Sequence, residues 1–329
     1  MISRRSLWAA TGGLALPMPA WAQATGAQPA AYPTRPITLL MGFAPGGGTD
    51  IISRLLQPAL QEDFGQPVAI ESRPGGSGTI AAAANARGRP DGYQMLMTTV
   101  SASAVVPPTM KPPPFDIIND QTAVVLAGTV PLVAVVPLDS PAQDFPGFIA
   151  HARANRGKLN YSSSGVATQQ HLAAAALSFA AGLDMTHIPF RGTGQAVNEI
   201  LAGRIDIAID TLPTYLPHIR AGRVRALATT LPARVPTLPD VPTIAESGFP
   251  DFDAAVWYMV MGPPGLPSAI SERWVRAVNK ALADPGLRQR VMDAGYLPGG
   301  GTSADAAALL RRDAAKYAEV IRRANITFD

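Results

Sequence analysis

The segment Ile37–Asp50, with the sequence ITLLMGFAPGGGTD, contains the pattern that decides the fold. Its apolar first half, Ile37–Phe43, predicts a buried strand, and the glycine-rich loop that follows leads into a helix predicted to run from about Asp50 to Asp63. The same order is repeated by the strand Pro67–Glu71, the glycine loop Arg73–Gly78, an Ala-rich helix to Arg87 and the strand Tyr93–Thr99. This βαβαβ order predicts a parallel sheet that is covered by helices on both faces.

A second unit of the same kind follows later in the chain. Short apolar or β-branched runs again alternate with stretches rich in Ala and Leu, which is the pattern of strands and helices in an α/β unit. The predicted strands are Asn160–Ser162, Asp184–Pro189, Ile205–Asp210 and Arg225–Thr230. The predicted helices between them are Thr168–Ala181, Gln195–Ala202 and Leu212–Ala221.

Two long apolar stretches, Thr122–Pro137 and Ala254–Gly262, lie at the junctions between these units. We predict that both are strands that cross from one unit to the other. Predicted C-terminal helices then pack back onto the first unit; they are Ile270–Ala283, Pro285–Ala294 and Ala304–Ala324. The predicted fold class is therefore α/β, with two lobes joined by two crossing strands and a ligand cleft between them. Residues 33–130 and 254–329 form the first lobe, and residues 131–253 form the second.

The composition sets the broad class of protein. The chain has 329 residues, of which 47% are hydrophobic and 16% are charged, and it contains no cysteine. Its length suggests about two domains, because single hydrophobic cores stop growing near roughly 250–300 residues. The ordinary apolar fraction excludes a disordered chain or a coiled coil. The absence of cysteine excludes disulfides, thiolate metal sites and cysteine nucleophiles.

The first 22 residues have the three parts of a secretory signal peptide. A start that contains two arginines is followed by the short apolar run Leu7–Leu16 and by the small-residue pattern AWA. We therefore predict that Met1–Ala22 is a signal peptide and that the mature protein is exported. The arginine pair fits an ordinary export signal as well as a twin-arginine signal, so the export route stays open.

The charge of the mature chain argues against a nucleic-acid partner. The whole chain has 27 basic and 24 acidic residues. Removal of Arg4 and Arg5 with the signal peptide leaves 25 basic residues against 24 acidic ones, which is a net charge of +1. No run of Lys or Arg follows that could bind a phosphate backbone. We predict that the protein has no nucleic-acid partner.

Four loops carry the residues that could bind a ligand. Each follows a predicted strand and opens a helix, so its N–H and hydroxyl donors lie at the sheet edge where α/β proteins bind ligands. The loops are Gly42–Asp50, Arg73–Thr79, Asn160–Thr168 and Arg191–Gly194. A nucleotide is not indicated, because Gly48 occupies the position of the P-loop lysine. The four loops together predict a cleft that binds an anion such as a carboxylate without a buried arginine.

Hydrolysis is the rival chemistry that the residues allow. The G-x-S-x-G elbow is missing, because Ser162 and Val166 occupy its two glycine positions. The four histidines, at positions 151, 171, 187 and 218, lack the spacing of a metal site. We therefore predict no catalytic residue, no metal and no cofactor. A secreted serine hydrolase that uses Ser164 and His171 remains as a second hypothesis.

Several ordered motifs resemble those of one family. They are Phe43–Asp50 (FAPGGGTD), Glu71–Gly76 (ESRPGG), Pro90–Tyr93 (PDGY), His187–Thr193 (HIPFRGT), Leu216–Gly222 (LPHIRAG) and Leu238–Thr243 (LPDVPT). On these motifs the chain, from about Tyr32 to Phe328, resembles the Bug family, the periplasmic solute-binding proteins of tripartite tricarboxylate transporters. The resemblance implies a type 2 periplasmic binding protein fold. It also implies a small carboxylate ligand (a dicarboxylate, an amino acid or an aromatic acid) and membrane permease subunits as partners.

The resemblance further implies ligand-binding residues on both lobes. The first lobe would supply Phe43, Ala44, Pro45, Gly46, Gly47, Thr99 and Ser101. The second lobe would supply Ser163, Ser164, Gly165, Thr168, His171, Gly192, Thr193 and Asp210. The chain departs from the family pattern at Val106, Ser162 and the pair Val166-Ala167, which favours a ligand with an aromatic or aliphatic body. The alternative function is a ligand sensor that reports to a membrane signalling partner, and the sequence does not separate it from transport.

Overall fold

The computed structural model of the protein describes residues 32–324, so the predicted signal peptide, Met1–Ala22, lies outside the described residues. The first unit has the predicted βαβαβ order. Its elements are β1 (Ile37–Met41), α1 (Gly48–Phe64), β2 (Val68–Ser72), α2 (Thr79–Ala86) and β3 (Gln94–Thr99). Strand β1 pairs in parallel with both β2 and β3. The carboxyl ends of these three strands, and the loops after them, therefore lie at one edge of the sheet.

A single long strand, β4 (Thr122–Pro137), joins the two halves of the fold. Its residues up to Pro131 pair antiparallel with β9 (Ala255–Gly262), which pairs in turn with β3. From Leu132 onward the same strand pairs with strands of the second unit. The predicted strand Thr122–Pro137 thus changes partners near its middle, and it carries the chain from the first half of the sheet into the second.

The second half of the sheet contains the repeated α/β unit. Its elements are α3 (Phe145–Ala154), β5 (Leu159–Ser163), α4 (Gln169–Ala181), β6 (Met185–Pro189), α5 (Thr193–Leu201), β7 (Ile207–Thr211), α6 (Leu212–Arg220) and β8 (Val224–Thr229). Strand β5 pairs in parallel with β6 and β7, and β4 lies between β7 and β8. The core of this half includes Val133, Ile200, Leu212 and Tyr215, all of which are fully buried.

The chain returns to the first half after Thr230. The Thr230 hydroxyl donates to the carbonyl oxygen of Ala254 at 2.6 Å, and it accepts a hydrogen bond from the N–H of Leu132 at 2.8 Å. One side chain therefore ties the two places where the chain passes between the halves. Because this hydroxyl is buried, its bonds are protected from exchange with water.

The C-terminal elements pack against the first half, as predicted. They are α7 (Ser268–Ala283), α8 (Pro285–Asp293), β10 (Leu297–Gly300) and α9 (Ser303–Ala324). Asp63 at the end of α1 accepts hydrogen bonds from Arg273 and Lys280 of α7. The buried Trp257 of β9 donates to the Asp313 carboxylate of α9 at 2.8 Å. Among residues 32–324, no helix combines the length and the apolarity needed to span a bilayer.

Candidate functional site

The loops at the carboxyl ends of the strands meet across the cleft between the two halves. The N–H of Ala44 donates to the carbonyl oxygen of Arg191 at 3.1 Å. The hydroxyl of Ser77 donates to the carbonyl oxygen of Val166 at 2.8 Å, and the N–H of Gln169 donates to the hydroxyl of Ser101 at 3.0 Å. Each of these bonds joins a loop of the first half to a loop of the second. The structure is therefore a closed form of the cleft.

Glycines allow the two sides to approach this closely. A Cβ atom placed on Gly194, at the start of α5, would lie 2.2 Å from the carbonyl oxygen of Pro45 in the opposite loop. A Cβ on Gly192 would lie 3.1 Å from the backbone nitrogen of Ala44. The loop after β1 is held from its own side as well, because the Asp50 carboxylate accepts the N–H of Gly46 at 2.9 Å. The glycine-rich sequence thus permits contact between backbones that larger residues would prevent.

A small hydroxyl-rich pocket, the inner pocket, lies inside the closed cleft. Its volume is about 20 Å³, which is close to what one water molecule requires. It is lined by Phe43, Gly47, Gly48, Thr49, Thr99, Ser101, Ser164, Gln170, Thr193, Thr211, Val256 and Tyr258. Burial, reinforced by the nearby Asp210 carboxyl, raises the pKa of Tyr258. Its hydroxyl therefore stays protonated and adds one more neutral polar group to this pocket.

A larger cavity, the outer chamber, opens beside the inner pocket. Its volume is about 490 Å³, within the range of small-molecule sites. It is lined by Gly42, Phe43, Pro74, Gly75, Gly76, Ser77, Gly78, Ile80, Ser164, Gly165, Val166, Pro189, Phe190 and Arg191. Phe43 and Ser164 line both cavities, so the two spaces adjoin at these side chains.

Ser164 is the polar side chain at this junction. It follows the end of β5 and is only 3% exposed. Its hydroxyl has no hydrogen-bond partner among the described residues. A buried hydroxyl normally has a partner, because leaving it unpaired costs about 1–3 kcal/mol. The Ser164 hydroxyl is therefore positioned to bond a group that enters the cleft.

Asp210 lies directly behind the inner pocket. Its Oδ1 accepts hydrogen bonds from the Gln170 side chain at 3.1 Å, the Thr193 hydroxyl at 2.8 Å and the N–H of Thr211 at 2.6 Å. All three donors belong to residues that line the pocket. Burial raises the pKa of Asp210 to about 6, although the three hydrogen bonds act in the opposite direction. Asp210 thus orients the polar wall of the pocket without lining it.

Three stacked rings support the serine loop, residues 162–168, from behind. The rings of His171 and His187 lie 3.9 Å apart between centroids, and the Tyr161 ring lies 5.0 Å from His187 and 6.2 Å from His171. His171 Nδ1 accepts the N–H of Ala167 at 3.0 Å, and His187 Nε2 bonds the Ser163 hydroxyl at 2.7 Å. Burial lowers the pKa of both histidines, that of His187 to about 4. Near neutral pH these rings are therefore uncharged.

The structure gathers the predicted site residues around the cleft at different depths. The inner pocket is lined by Phe43, Gly47, Thr99, Ser101, Ser164 and Thr193, and the outer chamber by Phe43, Ser164 and Gly165. Ala44, Pro45, Gly46 and Gly192 lie where the opposing loops touch. Ser163, Thr168, His171 and Asp210 stand behind the lining and hold it. Their part in ligand binding stays a prediction.

Several lining residues were not predicted from the sequence. Gln170 and Thr211 flank predicted residues and line the inner pocket; the Gln170 side chain and the N–H of Thr211 both donate to Asp210. Ile80 and Phe190 line the outer chamber, yet in the sequence they resemble ordinary helix and loop residues. The sequence leaves two interpretations of Arg191 open, a source of positive charge for the cleft or a solvated loop residue, and the structure places it in the lining of the outer chamber.

The geometry expected of a serine hydrolase is not formed by Ser164 and His171. Nδ1 of His171 accepts a backbone N–H, while the Ser164 hydroxyl has no partner in the described chain. A nucleophile needs a base within hydrogen-bond reach. The serine that does bond a histidine, Ser163, is fully buried and lines neither cavity. Within residues 32–324, no group of three or more His, Asp or Glu side chains could hold a metal ion.

Comparison with known proteins identifies the class. The model of the tripartite tricarboxylate transporter family receptor matches residues 52–326. A "UPF0065 protein" from the tcbD-tcbE intergenic region of a Pseudomonas species is 38% identical over 293 residues, 88% of this chain and 87% of that protein.

Two solved structures have the same fold. R. palustris Rpa4515 with adipate is 31% identical with a TM-score of 0.87, over 90% of this chain and 99% of that one. The periplasmic binding protein BugD is 29% identical with a TM-score of 0.85, over 90% of this chain and 99% of that one.

These likenesses, together with the closed cleft, define a two-lobed solute-binding protein of the periplasmic type. The predicted α/β fold is confirmed by the ten-stranded sheet and by the structural relatives. The chain belongs to the tripartite tricarboxylate transporter receptor family, to which the Bug proteins belong, as the sequence motifs predicted.

Proposed function

We propose that the protein is a periplasmic receptor that captures a small carboxylate in this cleft and delivers it to the membrane permease subunits of a tripartite tricarboxylate transporter. The observation that carries the proposal is the Ser164 hydroxyl, which is buried without a partner in the described chain at the junction of both cavities. A carboxylate of the ligand accepts its hydrogen bond there. The body of the ligand occupies the outer chamber, since the inner pocket is too small for a metabolite.

The neutral wall of the inner pocket suits a carboxylate that is bound through hydrogen bonds. The pocket residues supply hydroxyls from serine, threonine and tyrosine, and no charged side chain lines this pocket in the described chain. Hydrogen bonds to an ionised acceptor contribute about 1.5–3 kcal/mol each, so a few of them replace a salt bridge. The relative whose structure is reported with adipate supports a carboxylate as the ligand class.

Ligand binding shifts the protein from an open form to a form in which the two lobes are closed. A ligand favours the closed form only if it contacts both sides of the cleft. Phe43 belongs to the first side and Ser164 to the second, and both adjoin the outer chamber. We take the lobes to be residues 33–130 with 254–329 and residues 131–253. The change of β4 partners between Pro131 and Leu132 supports this division.

Membership in the receptor family supports the periplasm as the site of action, and the predicted signal peptide Met1–Ala22 agrees with it. The permease is proposed as the partner on the same basis. Hydrolysis is disfavoured, because His171 is engaged with the N–H of Ala167 and does not bond Ser164. Membership in a transporter receptor family favours a permease over a signalling partner, so transport is the function that we propose.

The substitution Ser164→Ala tests the proposal. Binding of succinate, adipate, benzene-1,4-dicarboxylate and 4-methylbenzoate to the native protein is measured by calorimetry. The acid that binds most tightly is then measured with the variants. Loss of one hydrogen bond to a carboxylate should weaken binding by between roughly tenfold and a hundredfold.

Ser162→Ala is the matched control. Ser162 lies in β5, two residues before Ser164, and is fully buried, but it lines neither cavity, so its variant should bind the acid within about twofold of the native affinity. Equal affinity in Ser164→Ala and the native protein, or equal losses in both variants, would contradict the assigned site.

A further inference from the structure

We infer that the protein has a second small-molecule site, outside the cleft, which binds an acid that carries one anionic group on an apolar chain. The site is a chamber of about 500 Å³, the helix chamber, between the starts of β4, α7 and α9. Its lining residues are Ile118, Gln121, Thr122, Ala123, Leu266, Ser268, Ser271, Ser303, Ala304, Ala307, Leu310 and Arg311. None of them lines the inner pocket or the outer chamber, so the inference does not depend on the proposed function.

Hydrogen bonds hold the walls of the helix chamber in place without a ligand. The Thr122 hydroxyl at the start of β4 donates to the carbonyl oxygen of Pro263 at 2.7 Å, in the segment that leads to α7. The Asn279 side chain of α7 donates to the carbonyl oxygen of Gly301 at 2.9 Å and accepts the N–H of Gly301 at 3.0 Å, just before α9. The chamber is therefore preformed, and its volume lies in the range of small-molecule sites.

The start of α7 gives the helix chamber a positive end. Ser268 and Ser271, in the first turn of this 16-residue helix, both line the chamber. The N-cap residue Pro267 makes no side-chain cap hydrogen bond, and the first turn holds no acidic residue. The start of α9 differs, because Thr302 and Asp305 cap it reciprocally. An anion is therefore favoured at the start of α7, whose first N–H groups have no partner within the helix.

Ser271 points to a ligand independently of the helix start. It is only 6% exposed, and its hydroxyl has no hydrogen-bond partner in the described chain. Buried hydroxyls normally have one. The other buried polar residue of the lining, Gln121, does have a partner, because its Oε1 accepts the Ser103 hydroxyl at 3.0 Å. The Ser271 hydroxyl is thus available to bond an acid in the chamber.

Arg311 sets the charge of the ligand. It is the one charged residue that lines the helix chamber in the described chain. None of the ion pairs of the described residues includes it, whereas its neighbour Arg312 is paired with Asp313 at 2.9 Å. Because Arg311 is exposed, it lies at the mouth of the chamber, where its guanidinium can bind a carboxylate.

The remaining wall suits an apolar chain. Leu266 and Leu310 line the chamber and are buried, while Ile118, a large apolar residue of the same wall, is 39% exposed. A ligand chain that covers Ile118 removes apolar surface from water. A wall with one cation and these apolar residues fits a monoacid with a short aliphatic chain, such as hexanoate.

Titration of hexanoate into the ¹⁵N-labelled protein tests the inference. The amide resonances of Ser268, Ser271 and Ala307 report on the helix chamber separately from the cleft. Hexanoate should shift them saturably, and 1-hexanol and hexylamine, which have the same chain without the negative charge, should bind there at least about tenfold more weakly. Arg311→Gln should raise the Kd of hexanoate at these amides by about tenfold.

Ser271→Ala should also weaken hexanoate, by about threefold to tenfold, yet leave the unfolding temperature of the free protein unchanged or higher, since the hydroxyl it removes has no partner in the described chain. Arg276→Gln is the matched control: Arg276 lies in α7, is paired with Glu272 at 3.7 Å and does not line the chamber, so its variant should bind within about twofold of the native affinity.

Absence of a saturable shift at these amides, equal affinity for hexanoate and 1-hexanol, or native affinity in Arg311→Gln would each overturn the inference. Each of these results leaves the proposed function standing, because the acids of the cleft contact other residues.

Discussion

Asp210 shows how one buried carboxyl can organise a site that it does not line. The three hydrogen bonds that Asp210 accepts all end at its Oδ1 atom. Its Oδ2 atom is buried and has no partner in the described chain. A carboxylate in such a position is destabilised by the loss of hydration. That is why its pKa rises to about 6. In return, the same carboxyl accepts hydrogen bonds from Gln170, Thr193 and Thr211, which line the inner pocket.

The raised pKa predicts a pH dependence that Asp210→Asn should remove. The folded state binds the Asp210 proton more tightly than the unfolded state, whose pKa is near 3.8. The stability that this carboxyl contributes is therefore fully present below about pH 4 and is lost as the pH rises through about 6. The free energy of unfolding of Asp210→Asn, minus that of the native protein, should increase by about 2–3 kcal/mol between pH 4 and pH 7.5.

Chemical denaturation at several pH values measures this difference. All other titratable groups are common to the two proteins, so their contribution cancels when the two curves are subtracted. Parallel pH profiles for Asp210→Asn and the native protein would mean that the buried carboxyl is not proton-linked to folding.

At the scale of elements, the starts of the helices are placed to let backbones meet across the cleft. Gly194 lies in the first turn of α5 and faces the loop after β1, with the Pro45 carbonyl oxygen 2.2 Å from where a Cβ would stand. All three atoms nearest to that Cβ position belong to the opposite loop. The position therefore matters for closure of the cleft.

Gly194→Ala should thus weaken ligand binding without unfolding the protein. One methyl group would hold the two sides apart, and binding that depends on the closed form should fall by roughly tenfold or more. Calorimetry with the tightest acid measures the affinity, and thermal unfolding without ligand checks the fold. Gly286→Ala in α8 is the control, because there the nearest atom is the Asp284 side chain at 3.3 Å. Native affinity in Gly194→Ala would show that closure does not depend on this contact.

Elements with a clear apolar period could be predicted from the sequence, and elements that depend on a neighbour could not. The strand Thr122–Pro137 was predicted with its observed bounds, because it is a long and almost continuous apolar run. Strand β10, Leu297–Gly300, was not predicted, since its sequence LPGG is typical of a turn; pairing with β4 makes it a strand. Helix α3 was missed for a similar reason, because Pro146 and Gly147 in its first turn resemble a loop.

Most of the site lies where the sequence indicates, because the carboxyl ends of parallel strands gather at one edge of a sheet. The depth of each residue could not be predicted. Ser163 and Ser164 are adjacent in the sequence, yet one bonds His187 behind the loop and the other faces both cavities. Alternation of side chains along an extended segment separates them, and only the packed structure shows which of the two faces the cleft.

At the scale of the whole molecule, the function rests on two halves that meet around a shared ligand. One long strand and the segment after Thr230 connect them, and the hydroxyl of Thr230 joins these two connections. Loops that line the cleft add contacts between the halves, and so does helix α6, where Arg220 donates to the carbonyl oxygen of Asp293 at 3.2 Å. A ligand in the outer chamber therefore adds to the contacts that keep the cleft closed, and it stabilises the folded protein as a consequence.

The most direct test of this account is the thermal unfolding of the native protein with dicarboxylic acids and with their uncharged diamides. Succinate and adipate are compared with succinamide and adipamide, which have the same carbon skeletons without the negative charge. An acid present at about 100 times its Kd should raise the free energy of unfolding by roughly 2.7 kcal/mol, and its diamide should raise it little. If no acid raises the unfolding temperature, or if an acid and its diamide raise it equally, the claim that the cleft binds a carboxylate is contradicted.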